Sequence, residues 1–404
     1  MFGKRKRNAN YVSGRQIRQT SRHNRRITRQ LEAQKKRRNV PESEYLTKMH
    51  DPDNILEIDD LHTYFFTDAG TVKAVDGVTF SVPRGKTVGV VGESGCGKSV
   101  TSLSVMQLLQ RPQGQVVSGE IRLAVGDKVV DIAKMPLSRM EEIRGNEVSM
   151  IFQEPMTSLN PVFRIGDQID EVIALHNPEM SADDVRQRTI DMLDLVSIAN
   201  SEAVYKMYPH QLSGGMRQRV CIAIALACNP SLIIADEPTT ALDVTIQAQI
   251  LDILRRLKDQ INSSIMLITH DLGVIAEMAD LVVVMYAGRI VELGTAREVF
   301  KNPKHPYTIG LMASKPVVSR RVERLYSIPG NVPNPISMPD YCYFRDRCDR
   351  AYERCYGPYP GMYQLTDTHK VACYHCEAAA QRVEHVHSVA GLDAELVDEL
   401  AAAR

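Results

Sequence analysis

The 404-residue sequence contains no tryptophan, and aromatic residues make up only 6% of it. Its longest apolar stretches, such as the one around Leu281 to Met285, fall far short of the roughly 20 residues that a membrane-spanning helix needs. No apolar core follows the basic, polar N-terminus, so no secretory signal is expected. Eight cysteines in a chain this long exclude a small disulfide scaffold, and a near-average composition excludes collagen-like and wholly disordered classes. These absences predict a soluble, cytoplasmic chain. Its length predicts two or three folded units, at about 150 residues each.

Acid is almost missing from one end. Residues 1–40 hold 14 of the 49 Lys and Arg but a single acid, Glu32, so the net charge of zero conceals a basic arm and an acidic remainder. A cationic, apolar-poor segment buries too little surface to offset its ordering entropy, so residues 1–50 are expected to be disordered or transiently helical. The arm reads either as a solvated tail or as a contact for anionic lipid headgroups or nucleic acid. Each Lys or Arg near an anionic membrane contributes about 1 kcal/mol.

Past the arm the chain alternates between strand and helix patterns. Strand-like runs begin at Ile55–Ile58 and Val72–Val82, and Thr87-Val88-Gly89-Val90-Val91 is a short apolar run of the kind buried on both faces of a sheet. Similar runs recur at Val148–Phe152, Leu232–Ala235, Ile265–Thr269 and Leu281–Met285. Helical spacing fits Gly166–Leu175, Asp183–Val196 and Val244–Gln260, and Ser181 with Asp184 caps the second of these. Strands alternating with helices predict an α/β layered domain over 51–300. Beyond it proline rises and five of the eight cysteines collect, marking a separate unit over 301–385, and a short polar tail closes the chain at 386–404.

Gly92-Glu93-Ser94-Gly95-Cys96-Gly97-Lys98-Ser99 fits the phosphate-loop pattern G-x-x-x-x-G-K-[ST], directly after a strand and before a helix. Its backbone N–H groups form an anion nest, strengthened by the positive N-terminal end of the following helix, so the ATP-binding run is taken on to Val100. Lys98 then reaches the β- and γ-phosphates and Ser99 binds Mg²⁺. Cys96 sits where only backbone is needed and is assigned no redox role. Leu232–Ala235 ends in two acids. Carboxylates at the carboxyl end of a parallel strand lie where open α/β sheets bind ligands, so Asp236 suits the Mg²⁺-associated acid and Glu237 the group that polarises water. His270 ends the next strand and projects from the same edge.

Leu212-Ser213-Gly214-Gly215-Met216-Arg217-Gln218-Arg219 lies just ahead of the two-acid strand and resembles the signature motif of ATP-binding cassette (ABC) ATPases. Gln153 resembles their Q-loop glutamine, Ala241-Leu242-Asp243 their D-loop and His270 their switch histidine. Phe65, flanked by Tyr64 and Phe66, stands where the family stacks an aromatic ring on adenine. The resemblance implies a P-loop NTPase fold with a helical subdomain at about 154–215, and Gln153 beside Ser99 and Asp236 around Mg²⁺. It also implies two ATP molecules sandwiched between paired cassettes, with Ser213, Gly214, Gly215 and Asp243 completing the site of the facing subunit.

Within that family, Gln153-Glu154-Pro155-Met156-Thr157-Ser158-Leu159-Asn160-Pro161, His305-Pro306-Tyr307-Thr308 and Ile328-Pro329-Gly330 resemble the ATPase subunits of dipeptide and oligopeptide permeases. Such subunits work at the cytoplasmic face of the membrane with a second ATPase subunit, usually a distinct paralogue. Two permease subunits and an extracytoplasmic binding protein complete the complex, and some relatives import nickel. A soluble ABC ATPase acting on nucleic acid or the ribosome is the competing reading, although the second cassette or coiled-coil insertion usual there is missing. Cys342, Cys348, Cys355, Cys373 and Cys376 suit an iron–sulfur cluster or structural zinc rather than disulfides. The resemblance favours a [4Fe–4S] cluster on the first four over Zn²⁺, in a small Cys-rich C-terminal extension.

Overall fold

The computed structural model describes residues 14–37, 39–154, 158–240, 242–314, 326–336, 338, 340–379 and 381–383. Pro155, Met156 and Thr157 of the Q-loop segment, Ala241 of the D-loop motif and the tail at 386–404 lie outside the described residues.

In chain order the strands are β1 (Asn54–Thr67), β2 (Gly70–Pro83), β3 (Thr87–Val91), β4 (Gly114–Val125), β5 (Lys128–Asp131), β6 (Val148–Ile151) and β7 (Leu232–Asp236). They continue as β8 (Ser264–Ile268), β9 (Leu281–Tyr286), β10 (Arg289–Thr295), β11 (Met362–Gln364), β12 (Lys370–Val371) and β13 (Gln381–Val383). The helices are α1 (Gly14–Lys35), α2 (Lys98–Val105), α3 (Leu137–Ile143), α4 (Ile165–His176), α5 (Ala182–Leu195) and α6 (Ser201–Tyr205). After them come α7 (Gly214–Leu226), α8 (Val244–Gln260), α9 (Leu272–Met278), α10 (Ala296–Lys301) and α11 (Pro306–Ala313).

Two sheets carry the fold. An antiparallel sheet has the order β2-β1-β4-β5, and a larger one runs β13-β11-β12-β10-β9-β3-β8-β7-β6. The β6, β7, β8, β3 and β9 strands are parallel neighbours. Every residue of β3, β7 and β8 is buried, as expected of strands covered by helices on both faces. One core cluster joins this sheet to α4, α5, α7 and α8, and a second lies between the two sheets. Residue 300 lies inside α10, and the sheet continues past it, because β10 pairs with β12 through Glu292 and Leu293.

The basic arm departs from expectation. Instead of a disordered segment over 1–50, residues 14–35 form a helix docked on the antiparallel sheet. Ile27 and Leu31, one turn apart, are buried against Tyr64, Phe66 and Val117. Asn24 Nδ2 donates to the Thr67 carbonyl at 2.8 Å, and Gln115 Nε2 donates to Glu32 at 2.7 Å. Low average hydrophobicity hides a narrow apolar stripe that needs only one face of the helix. Arg15, Arg18, Arg22, Arg25 and Arg29 remain exposed on the other side.

Candidate functional site

The phosphate loop follows β3 without a gap, because two glycines allow a close approach. A Cβ on Gly92 would lie 2.2 Å from the Met285 carbonyl oxygen. Gly97 has φ +105, and a Cβ there would lie 2.5 Å from the Ala74 carbonyl oxygen. Only glycine meets both demands. Lys98, nearly buried at 5% exposure, folds back over the loop. Its Nζ donates to the Gly92 carbonyl at 2.7 Å and the Glu93 carbonyl at 3.1 Å. Ser94 and Gly95 at the loop tip are exposed. Cys96 is 1% exposed, and burial raises its thiol above the usual range, so it stays a neutral packing group.

Ser99, in the first turn of α2, donates its hydroxyl to Asp236 Oδ1 at 3.0 Å. Burial pushes the Asp236 carboxyl up, the Ser99 bond opposes that shift, and the Glu237 charge adds to it. A hydroxyl and a carboxylate oxygen side by side are hard donors that suit Mg²⁺, which takes one or two carboxylates and completes its shell with phosphate and water. A cation here would also compensate for the buried charge of Asp236.

Glu237 stands one residue beyond β7 with φ 48, a left-handed conformation that is strained for a non-glycine residue. Its N–H donates to the Ile268 carbonyl at 2.8 Å. The carboxylate receives Gln153 Nε2 at 3.0 Å and Thr240 Oγ1 at 2.9 Å, and His270 Nδ1 lies 3.3 Å from it. Three residues expected from separate strand ends thus meet at one carboxylate. His270 is 63% exposed, so the group faces outward.

Phe65 is separated from its aromatic neighbours by strand alternation. Tyr64 and Phe66 are 5% exposed under α1, whereas Phe65 projects from the opposite face and is half-buried. The signature segment lies apart from the phosphate loop. Ser213 caps α7 by accepting the Met216 N–H at 3.3 Å, and Ser213 and Gly214 are exposed. Among the described residues no hydrogen bond or ion pair joins Ser213, Gly214 or Gly215 to the loop. Asp243 likewise caps α8, accepting the Ile246 N–H at 3.0 Å, and is exposed.

Comparison with known proteins agrees with this geometry. The ABC transporter family matches residues 75–240, and the oligopeptide/dipeptide transporter C-terminal region matches residues 291–355. The oligopeptide transport ATP-binding protein AppD of Bacillus subtilis (strain 168) is 50% identical over 320 residues, covering 79% of this chain and 96% of that protein. The chain belongs to the ABC transporter ATP-binding proteins of the oligopeptide/dipeptide type. The dipeptide transport ATP-binding protein DppD of the same organism is 46% identical over 333 residues, covering 82% of this chain and 97% of that protein. Among solved structures, the post-hydrolysis dimer of the ATP-binding cassette MJ0796 bound to ADP and Pi matches at TM-score 0.53 and 23% identity. That match covers 60% of this chain and 99% of the other, and shows the fold. Subunit cbiO1 of Clostridium perfringens matches at TM-score 0.52 and 26% identity, over 62% of this chain and 92% of that one.

In this ABC ATPase no described helix is long and apolar enough to cross a membrane. The expected metal centre is not assembled among the described residues. Cys342, Cys348, Cys355 and Cys373 line one cavity with Phe344 and Pro360, and all eight cysteines are free of disulfides. The donor type therefore fits a thiolate-bound metal. However, among the described residues no three His, Cys, Asp or Glu side chains are grouped to hold a metal ion. Burial holds the Cys342 thiol up at about 12, aided by the neighbouring thiols. His375 Nε2 lies 2.8 Å from the Arg350 carbonyl at the surface.

Two residues that contact the nucleotide loop and a third beside the Glu237 turn have partners that the sequence does not point to directly. Tyr307 Oη accepts the Glu93 N–H at 2.8 Å, Arg347 pairs with the Glu93 carboxylate, and Gln218 Nε2 donates to the Pro238 carbonyl at 2.6 Å. Tyr307 lies in the His-Pro-Tyr-Thr segment and Arg347 directly precedes Cys348, so proximity to those motifs is the one hint the sequence offers. Gln218 reads there only as part of the signature.

Proposed function

We propose that the chain is the ATP-hydrolysing subunit that powers import of di- or oligopeptides through a membrane permease. The convergence of Gln153, Glu237 and His270, beside the Ser99–Asp236 pair, carries the hydrolytic part of this reading, and the similarity to oligopeptide and dipeptide transport ATP-binding proteins supports the cargo. ATP enters the loop as Lys98 exchanges the Gly92 and Glu93 carbonyls for the β- and γ-phosphates. Ser99 and Asp236, together with Gln153, would hold Mg²⁺, which when bound would neutralise charge on the phosphates. Glu237 orients and polarises the attacking water, and His270 contacts the γ-phosphate. The half-buried Phe65 would stack on adenine. Positioning and charge stabilisation account for the rate enhancement, with no covalent step on the protein.

The exposed Ser213 and Gly214 at the start of α7 form an anion site aimed outward, which supports a composite site shared with a second ATPase subunit. Partners then include two permease subunits and an extracytoplasmic binding protein, with the chain peripheral on the cytoplasmic face. Exposed Arg15, Arg18, Arg22, Arg25 and Arg29 on α1 suit anionic headgroups at that surface. Four thiols line one cavity, a donor set that suits either a [4Fe–4S] cluster or Zn²⁺; the family resemblance favours the cluster, and no step of hydrolysis runs through it. Iron and sulfide analysis of anaerobically purified protein checks this, and one equivalent of zinc without sulfide would reverse it.

The test of function is reconstitution. With the permease subunits in proteoliposomes, ATP hydrolysis should rise when peptide-loaded binding protein is supplied outside. Stimulation by nickel alone, or co-purification with RNA instead of membrane proteins, would overturn the peptide-import reading.

A further inference from the structure

Glu93, the second residue of the phosphate loop, is tied down through every polar group it has. Its carbonyl accepts Lys98 Nζ at 3.1 Å and the Cys96 N–H at 3.2 Å. Its N–H donates to Tyr307 Oη at 2.8 Å. Its carboxylate receives Arg347 in a two-pronged grip, Nη1 to Oε2 at 2.8 Å and Nη2 to Oε1 at 3.0 Å. The Arg347 side chain is 6% exposed, and its Nε donates to the Pro329 carbonyl at 2.9 Å. Tyr286, Tyr307 and Phe344 form an aromatic cluster around it.

When a triphosphate draws Lys98 away from the Gly92 and Glu93 carbonyls, the loop loses two internal bonds. The contacts of Glu93 with Tyr307 and Arg347 use its N–H and carboxylate, not the carbonyl that Lys98 would release. Paired donors on a planar fork fix both the position and the orientation of a carboxylate. We propose that Arg347 is a positioning residue for nucleotide binding: reaching from the segment that carries Cys342 and Cys348, it clamps Glu93 and so holds the phosphate loop in its anion-accepting shape. The inference rests on ATP binding at this loop. It makes nucleotide affinity depend on the C-terminal region being correctly folded.

The experiment uses the full-length chain and titrates MgATP against a fluorescent ATP analogue, followed by steady-state hydrolysis in the assembled complex. Arg347→Ala should raise the Kd and KM for MgATP about tenfold, about 1.4 kcal/mol, with kcat reduced less than about twofold. Arg347→Lys should fall between, because an ammonium cannot make the paired contact. Glu93→Gln breaks the same grip from the loop side and tests the idea if Arg347→Ala fails to fold. The double variant should bind no more weakly than either single variant, since both remove one interaction. Wild-type affinity in Arg347→Ala and Glu93→Gln would overturn the proposal, as would additive losses or a fall in kcat at unchanged KM. Failure of the wild-type chain to bind MgATP would instead count against the nucleotide site itself.

Discussion

Gln153 and Glu237 are joined by a hydrogen bond of 3.0 Å between residues 84 apart in sequence. The glutamine that follows β6 and leads into the helical segment therefore touches the carboxylate that follows β7. On the proposed function, this contact would let a permease subunit that moves the helical segment reorient the carboxylate that positions water.

That carboxylate should be needed for turnover rather than for binding. Glu237→Gln preserves shape and the Gln153 contact while removing the charge. We expect hydrolysis to fall by roughly 10²–10⁴-fold, the usual worth of a positioned base, with MgATP affinity retained. Single-turnover hydrolysis alongside equilibrium nucleotide binding measures both, and normal turnover would exclude the assigned role.

Lys98 should behave in the opposite way. Its ammonium is held only 2.7 Å from the Gly92 carbonyl, ready to transfer to phosphate. Lys98→Ala removes a charge-assisted contact of roughly 1.5–3 kcal/mol, and nucleotide affinity should drop about 10- to 100-fold. Equilibrium binding detects the loss even where no turnover remains.

The docking of α1 predicts a stability effect. Ile27 is 1% exposed and Leu31 4%. Ile27→Ala or Leu31→Ala should each lower unfolding free energy by roughly 2 kcal/mol, at the low end for core truncations because the cluster is small. Arg22→Ala on the exposed side should change it by less than about 0.5 kcal/mol. Urea unfolding followed by tyrosine fluorescence compares the three, and equal midpoints would mean that α1 is undocked in solution.

A buried histidine gives stability a pH dependence. Burial opposes charge on His62, but its hydrogen bonds to Asp60 and Asp76, both 3.1 Å, outweigh this and raise its pKa above 6.5. The folded state therefore holds its proton more tightly than the unfolded chain. This stabilisation is complete below pH 6.5 and is lost as pH rises through the folded-state value. His62→Gln should flatten the decline in thermal midpoint on the alkaline side of pH 6.5. An unchanged slope would show that other groups set it.

The nucleotide loop is legible in the sequence because its chemistry is local. A run of eight residues from Gly92 to Ser99 must carry glycine where the backbone crowds Met285 and Ala74, and lysine where phosphate arrives. Strands β3, β7 and β8 are legible for a related reason, since burial on both faces leaves an unbroken apolar run. The Glu93–Arg347 pair is invisible there because it joins residues 254 positions apart, and neither residue type signals such a partner. The arm misleads because its composition drowns two apolar residues, and their burial depends on Tyr64 and Phe66 in another element. For the cysteines, residue type and resemblance suggest a metal site. A sequence does not show whether the thiols come close enough to share one, and among the described residues they are not grouped to hold a metal.

One hydrogen-bonded ladder runs from β6 to β13, with β12 laid directly against β10. The C-terminal region is thus woven into the nucleotide core rather than hung from it. Chimaeras between relatives should be cut outside this ladder, since a junction near residue 300 would take the interior neighbours β10 and β12 from different parents.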